Sequence, residues 1–379
     1  MGNKRGNELE HIKRTAVAAV CALVLTCFAG QVHAQNAAEK PPEKTNTHLT
    51  ITAVGDIMMG STHPVRKTPK DEGQSLFTGV REKLKDGDIV FGNLEGPLID
   101  NGTPQKCSKE STRCYEFVTP TSYVNRLKEA GFTVLNVANN HIYDCGPEGI
   151  ESTLSSLKGS GIAACGGNNE TSLVIRGTKV AIACFSYRLS DHSYSILDLD
   201  TAGGIVARLK REHNIVIVSF HGGAEGKGAT RTLDREEIFL GENRGNVVRF
   251  ARTVIDSGAD MVIGHGPHVL RAMEVYKGKL IAYSLGNFLT YKMFNVRGVS
   301  GISIILSARI DPKTGNFLGG EMVPVKLSAD GVPAIDPKQQ ALSIINSLIA
   351  RDTGQPRIAI NEKGIITLPE KKLAQKEAD

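Results

Sequence analysis

The chain has 379 residues, 40% of them hydrophobic and 22% charged, enough to bury one large core or two medium ones and too apolar for a disordered chain. The formal net charge of +5 comes from Lys and Arg spread along the sequence without a basic block, so no nucleic-acid partner is expected.

Taken in order, the first 34 residues read as a signal peptide. Lys4, Arg5, Lys13 and Arg14 precede an apolar run from Thr15 to Gly30, and Val32-His33-Ala34 supplies short residues for cleavage after Ala34. The run is short for a membrane-spanning helix, which needs about 20 apolar residues, so an uncleaved anchor is the weaker reading. Cys27 follows Val24-Leu25-Thr26, a poor lipoprotein signal. The mature chain is expected to be exported, to a periplasmic or extracytoplasmic place. Residues 35–48 are polar with two prolines and read as a linker, residues 49–352 as the globular domain and residues 353–379 as a polar tail.

Export changes the meaning of the cysteines. Cys107 and Cys114 bracket a polar loop and are expected to close it as a disulfide. Cys145 with Cys165 is the weaker pairing, and Cys184, inside the apolar VAIACF, reads as a buried thiol. There is no CxxC pair, which argues against a thiolate zinc site.

Within the domain, helical and strand patterns alternate. Leu49 to Val54 reads as a strand ending at Gly55-Asp56. A short helix, a strand from Asp88 to Phe91 and a turn carrying Asn93, Leu94 and Glu95 follow. An amphipathic helix ending at Gly131 then leads to a strand at Thr133 to Val137 and to Asn139, Asn140 and His141. VAIACFS, NIVIVSFHGG and MVIGHGPH are further apolar strands that stop in polar turns. This order predicts an α/β fold. The last third turns β-rich and antiparallel, with a helix from Pro337 to Arg351.

Five strands finish in a potential metal ligand: Asp56, Glu95, Asn140 with His141, His221, and His265 with His268. Each alone has an ordinary reading. Asp56 could cap a helix, Glu95 could be solvated, Asn140 could form a turn at positive φ, and the histidines could bond within loops. Together they form a set of nitrogen and oxygen donors, and strand carboxyl ends are where open α/β sheets place ligand chemistry. The set suits manganese, zinc or iron, one or two ions, better than calcium or magnesium. Two cations would share a bridging carboxylate, Asp56 or Glu95.

GDIMMG, FGNLEGPL, NVANNHIYDCG, HGGAE, IGHGPHVL and YSLGNF, in that order, resemble the CapA or poly-γ-glutamate capsule-synthesis family, which is similar to the calcineurin-like metallophosphoesterases. The resemblance runs from about Leu49 to about Arg309. It implies a four-layer α/β/β/α sandwich of the metallophosphoesterase type with a metal site at one edge of the sheets. It makes Asp56, Glu95, Asn140, His221, His265 and His268 the metal ligands and His141 the group that contacts the reacting atoms. It puts Asn93, Glu225 and Asn287 in the substrate pocket. Two positions depart from the phosphoesterase pattern. Met58 stands where a histidine is expected two residues after the first aspartate, and Ile142 stands where a carboxylate would follow His141. Asp144 is the nearest acid and takes the role of orienting the imidazole.

Three functions follow from this reading. The first is action on an anionic surface polymer such as poly-γ-glutamate, in its assembly, export or trimming and with a membrane synthesis complex as partner; there His141 gives a proton to the leaving group. The second is an exported metal-dependent phosphoesterase, for which Arg188, Arg231 and Arg244 are available as clamps but read as solvated surface charges. The third is a non-catalytic polymer-binding subunit, consistent with Met58.

Overall fold

The structure, a computed structural model, describes residues 47–108, 114–166, 170–188, 193–354 and 358–369. The expected signal peptide lies outside the described residues, as do most of the linker and the last ten residues. Among the described residues no helix is long and apolar enough to cross a membrane.

Two sheets form the body. The first has Leu49–Met58 at its middle, with Ile89–Leu94, Val134–Asn136 and Ala163–Cys165 following in parallel on one side. On its other side Ile302–Ile310 and Phe317–Leu327 continue antiparallel, and the short strand Asn287–Thr290 pairs in parallel with the far end of Leu49–Met58. The second sheet runs Met273–Tyr276, Lys279–Ala282, Met261–His265, Ile215–His221, Thr178–Ser186 and Thr171–Ile175. Ile89–Leu94 and Ile215–His221 are buried along their whole length, which explains their unbroken apolar character where a half-exposed strand would alternate.

The layers follow from which faces are apolar. Ile51, Ala53 and Phe91 of the first sheet meet Ile182, Ile217 and Ile263 of the second in one shared core. The outer face of the first sheet, with Val54 and Leu135, is covered by the helices Val124–Ala130 and Gly146–Gly159. The outer face of the second, with Val216 and Val262, is covered by Leu199–Glu212 and Val247–Asp256. The result is the expected four-layer α/β/β/α sandwich. The helix Gln340–Asp352 adds Leu342, Ile345 and Ile349 to the central core.

Four expectations change. The first strand continues past Gly55 to Met58, because pairing with Ile89–Leu94 on one side and Asn287–Thr290 on the other resumes beyond a register shift, so Asp56 lies inside the strand. The last helix starts three residues later than its pattern suggests, after Asp336 has accepted the Lys338 and Gln340 amides. Part of the polar tail is built into the fold: Ala359–Ile360 and Ile365–Thr367 add strands at the edge of the first sheet, with Ile360 and Ile366 buried. Cys107 pairs with Cys114 as expected, but Cys165 is joined to Cys184. Cys165 ends a strand of the first sheet and Cys184 lies in the second, so facing strands meet there. Among the described residues Cys145 is the unpaired cysteine, buried against Ile99 and Val118, with its thiol pushed up to about 12 mainly by burial.

Candidate metal centre

The centre lies where strands of both sheets end. On the first sheet, register places Asn93 beside Asp56 on one side and Asn287 beside it on the other. On the second, His221 and His265 are opposite each other on neighbouring parallel strands, so their side chains share a face. Gly55 permits the approach of the Asn287 segment: a β-carbon there would lie 1.9 Å from the Gly286 carbonyl oxygen, while the Asp56 amide donates to that oxygen at 2.9 Å.

Asp56 is fully buried. Its Oδ1 accepts from the Asn93 amide at 2.8 Å and faces His265 Nδ1 at 3.4 Å; its Oδ2 is 3.0 Å from His268 Nδ1. His268 then reaches Glu95 Oε1 through Nε2 at 3.4 Å. Asp56, Glu95 and His268 present ligand atoms within 4.8 Å of one another. Asn140 and His221 face the same space, and Asn93 holds His221 Nδ1 at 3.4 Å.

Burial sets the electrostatics. It would raise Asp56, but the close imidazoles of His265 and His268 outweigh it and hold the carboxyl far below the usual range. Glu95 goes the other way, raised well above its ordinary value by burial, with Asp56 adding to the rise and His268 opposing it. Burial lowers His221 strongly. His268 is pushed up to about 10, because Glu95 and Asp56 overcome the burial that would lower it. Two buried acidic side chains that meet across one imidazole leave a place where a cation would be held.

Both Glu95 oxygens, Asn140 Oδ1, His221 Nε2 and both ring nitrogens of His265 are buried with no hydrogen-bond partner. Buried polar atoms are nearly always satisfied, and leaving one unpaired costs about 1 to 3 kcal/mol. Carboxylate, amide and imidazole atoms orphaned around one space fit a divalent transition metal with nitrogen and oxygen ligands.

His141 and Asp144 form a separate pair beside this cluster. His141 Nδ1 is 2.8 Å from Asp144 Oδ2, which also accepts the Phe117 amide at 2.8 Å. Asp144 thus does what the position of Ile142 cannot, because the Asn139 side chain accepts the His141 and Ile142 amides and turns the chain to bring residue 144 under the ring. Burial lowers the His141 pKa, with Asp144 opposing, and Phe117 packs on its ring at 4.3 Å.

A cavity of about 690 Å³ opens onto this floor, with Asn140, His141 and His268 at its base. Glu225 lines it. Asn93 and Asn287 do not: both are buried behind the ligands, Asn93 holding Asp56 and His221, Asn287 holding the His268 ring and carbonyl at 3.1 Å each. Arg244 is not a solvated surface charge. It is 3% exposed, stacks 3.9 Å over the Tyr187 ring and pairs with Glu225 and Glu242 in the cavity wall. Arg188 lines the cavity too, whereas Arg231 is bound to Asp352 elsewhere. Lys106, which no motif singles out, reaches the cavity beside His141.

The profile of the family described as "Bacterial capsule synthesis protein PGA_cap" matches residues 50–292. The chain is 32% identical over 271 residues to "PGA biosynthesis protein CapA" of Bacillus subtilis, covering 66% of each chain. It is 31% identical over 265 residues to "Capsule biosynthesis protein CapA" of Bacillus anthracis, covering 65% of this chain and 61% of that one. The chain thus spans a little under two thirds of the length of these relatives. A solved structure of a phosphatase from Mycoplasma pneumoniae superposes with a TM-score of 0.46 at 13% identity, covering 79% of this chain and 99% of that one. With the profile matched along well over half of its length, the chain belongs to the bacterial capsule synthesis family PGA_cap.

Proposed function

We propose that the chain is an exported protein of capsule or surface-polymer assembly, acting on an anionic polymer of the poly-γ-glutamate class through a metal-dependent site. The observation that carries this reading is the set of orphaned buried atoms of Glu95, Asn140, His221 and His265, beside a cavity that Asn140 and His268 line. The names of the Bacillus relatives supply the polymer, and the basic, apolar amino terminus supplies the export.

Asp56, Glu95, Asn140, His221, His265 and His268 would hold one or two ions of manganese, zinc or iron. A divalent ion in that place supplies Lewis acidity toward an amide carbonyl. The chain's own groups do the rest. Asp144 fixes the His141 tautomer with the proton on Nδ1 and leaves Nε2 free to take a proton from the attacking water and pass it to the leaving nitrogen as the amide bond breaks. Burial keeps His141 neutral at rest. Asn287 holds the His268 ring in place.

The test uses the chain from residue 35, γ-linked polyglutamate, and manganese or zinc. The expected result is shortening of the polymer, lost in His141→Ala. Unchanged chain length with every metal removes the hydrolytic function. Arg244 in the cavity wall favours a second reading, a phosphoesterase; turnover of bis(p-nitrophenyl) phosphate that disappears in His265→Ala would support it.

A further inference from the structure

Lys106 has a placement that neither the metal ligands nor the His141–Asp144 pair requires. Its side chain is 11% exposed and enters the cavity beside His141. The ammonium lies 3.1 Å from Asp144 Oδ1, 3.3 Å from the Tyr115 carbonyl oxygen and 3.2 Å from His141 Nδ1. With the His141 proton on Nδ1 and shared with Asp144 Oδ2, the last of these is a contact and not a hydrogen bond. An ammonium has three donors. The Tyr115 carbonyl takes one and Asp144 Oδ1 is the counter-ion at 3.1 Å, so the ammonium stands at the cavity wall next to the imidazole with donors left for a further acceptor.

The other charges of the wall are largely paired among themselves. Glu225 and Glu242, the carboxylates of the wall, are bound to Arg244. Arg188 adds another cation to the same wall. The Lys106 backbone is held as well: the amides of Lys106 and Cys107 both donate to Glu116 Oε1, at 2.5 and 2.7 Å, and Cys107 is locked to Cys114. A long flexible side chain has thus been fixed at its base, which lowers the entropy lost when its ammonium is engaged.

We propose that Lys106 is the specificity residue of this site: it binds a carboxylate of the substrate chain next to the bond under His141, and so selects a polyanionic chain over a neutral one. This rests on the polymer reading above. In a γ-linked glutamate chain each amide has a free carboxylate on the neighbouring α-carbon, so a cation a few ångströms from His141 can bind that carboxylate while the amide faces the imidazole. The role is one of binding and orientation, without proton transfer.

The test compares a fluorescent γ-linked decaglutamate with the same chain carrying carboxamides in place of the free carboxylates. Binding and cleavage are measured on the parent chain from residue 35 with manganese, on Lys106→Gln and on Lys106→Arg. The parent is expected to prefer the acidic chain. Lys106→Gln should raise Kd and KM for the acidic chain by about tenfold or more, the loss of one charged hydrogen bond, and change the Kd of the carboxamide chain far less. Lys106→Arg should restore most of the preference. If Lys106→Gln weakens both chains equally, or lowers only kcat, Lys106 is a counter-ion of Asp144 and the specificity role is overturned while the polymer function stands. If the parent neither binds nor cleaves the acidic chain, both fall. Circular dichroism identical to that of the parent separates either result from misfolding.

Discussion

The His268 backbone sits at φ 57°, in the left-handed region that costs a residue with a β-carbon roughly 1 to 2 kcal/mol. Asn287 holds it there by donating to the His268 carbonyl and contacting the ring, which lets one imidazole span Asp56 and Glu95. Replacing it with glycine keeps the left-handed backbone and deletes only the imidazole. His268→Gly should fold as the parent does and bind manganese or zinc at least tenfold more weakly, a difference of about 1.4 kcal/mol. Elemental analysis after dialysis against metal buffers, with circular dichroism alongside, measures this. Equal metal content in the two proteins would take His268 out of the ligand set. The histidine was legible in the sequence as the end of an apolar strand in GHGPH. Its backbone strain and its brace were not, since Asn287 is 19 residues away and its role depends on Gly55 letting two strands meet.

Among the elements, the helix Gln340–Asp352 shows how the end of the sandwich is fastened. Its apolar stripe enters the shared core, and its last residue, Asp352, turns back to the loop after HGGAE. Asp352 accepts from the Thr232 amide at 2.8 Å and pairs with Arg231 at 2.6 Å and Arg351 at 3.0 Å. Burial would raise its pKa, but these donors hold it below the usual aspartate value. A carboxyl depressed in the folded state stabilises the fold above the unfolded pKa of about 4 and loses that contribution as pH falls through the folded value. The Asp352→Asn chain should therefore be less stable than the parent at pH 7, by about 1 to 3 kcal/mol, and the gap should close as pH falls below the ordinary aspartate range, read as urea midpoints. A constant gap at every pH would exclude the charge as its source. Periodicity reveals such a helix and its core face. It is silent on the partner of the terminal carboxylate, which is fixed only when a loop some 120 residues earlier is laid against it. For the same reason Lys106 is not singled out by the sequence and Arg244 reads there as a solvated charge, since each is an isolated cation until the fold delivers it to the cavity.

At the scale of the whole molecule, what joins the two sheets matters most, because the candidate metal centre draws residues from both. The shared apolar core does most of the joining, and Cys165–Cys184 adds a covalent link from a strand of the first sheet to one of the second. Cys165 is paired in register with Asn136, the last residue of the strand that leads into Asn139, Asn140 and His141, and Cys184 with Ser219, two residues before His221. The link therefore sits just below two of the turns that carry the site. Sequence proximity favoured neither this pairing nor a buried Cys145 left alone, because the relevant neighbours are on opposite sheets. Of the seven cysteines, Cys21 and Cys27 fall in the leading segment, so a chain from residue 35 contains five. Oxidised protein denatured without reductant should take up one alkyl group, on Cys145, and five after reduction. Closing a loop of 19 residues constrains the unfolded chain by about 3 kcal/mol, so Cys184→Ala should lower the unfolding midpoint by that order, and reductant should lower the parent toward it. The metal site should loosen in parallel, since its two halves are tied at that point. If Cys165 and Cys184 are alkylated without reduction, apolar packing alone holds the two halves of the centre together.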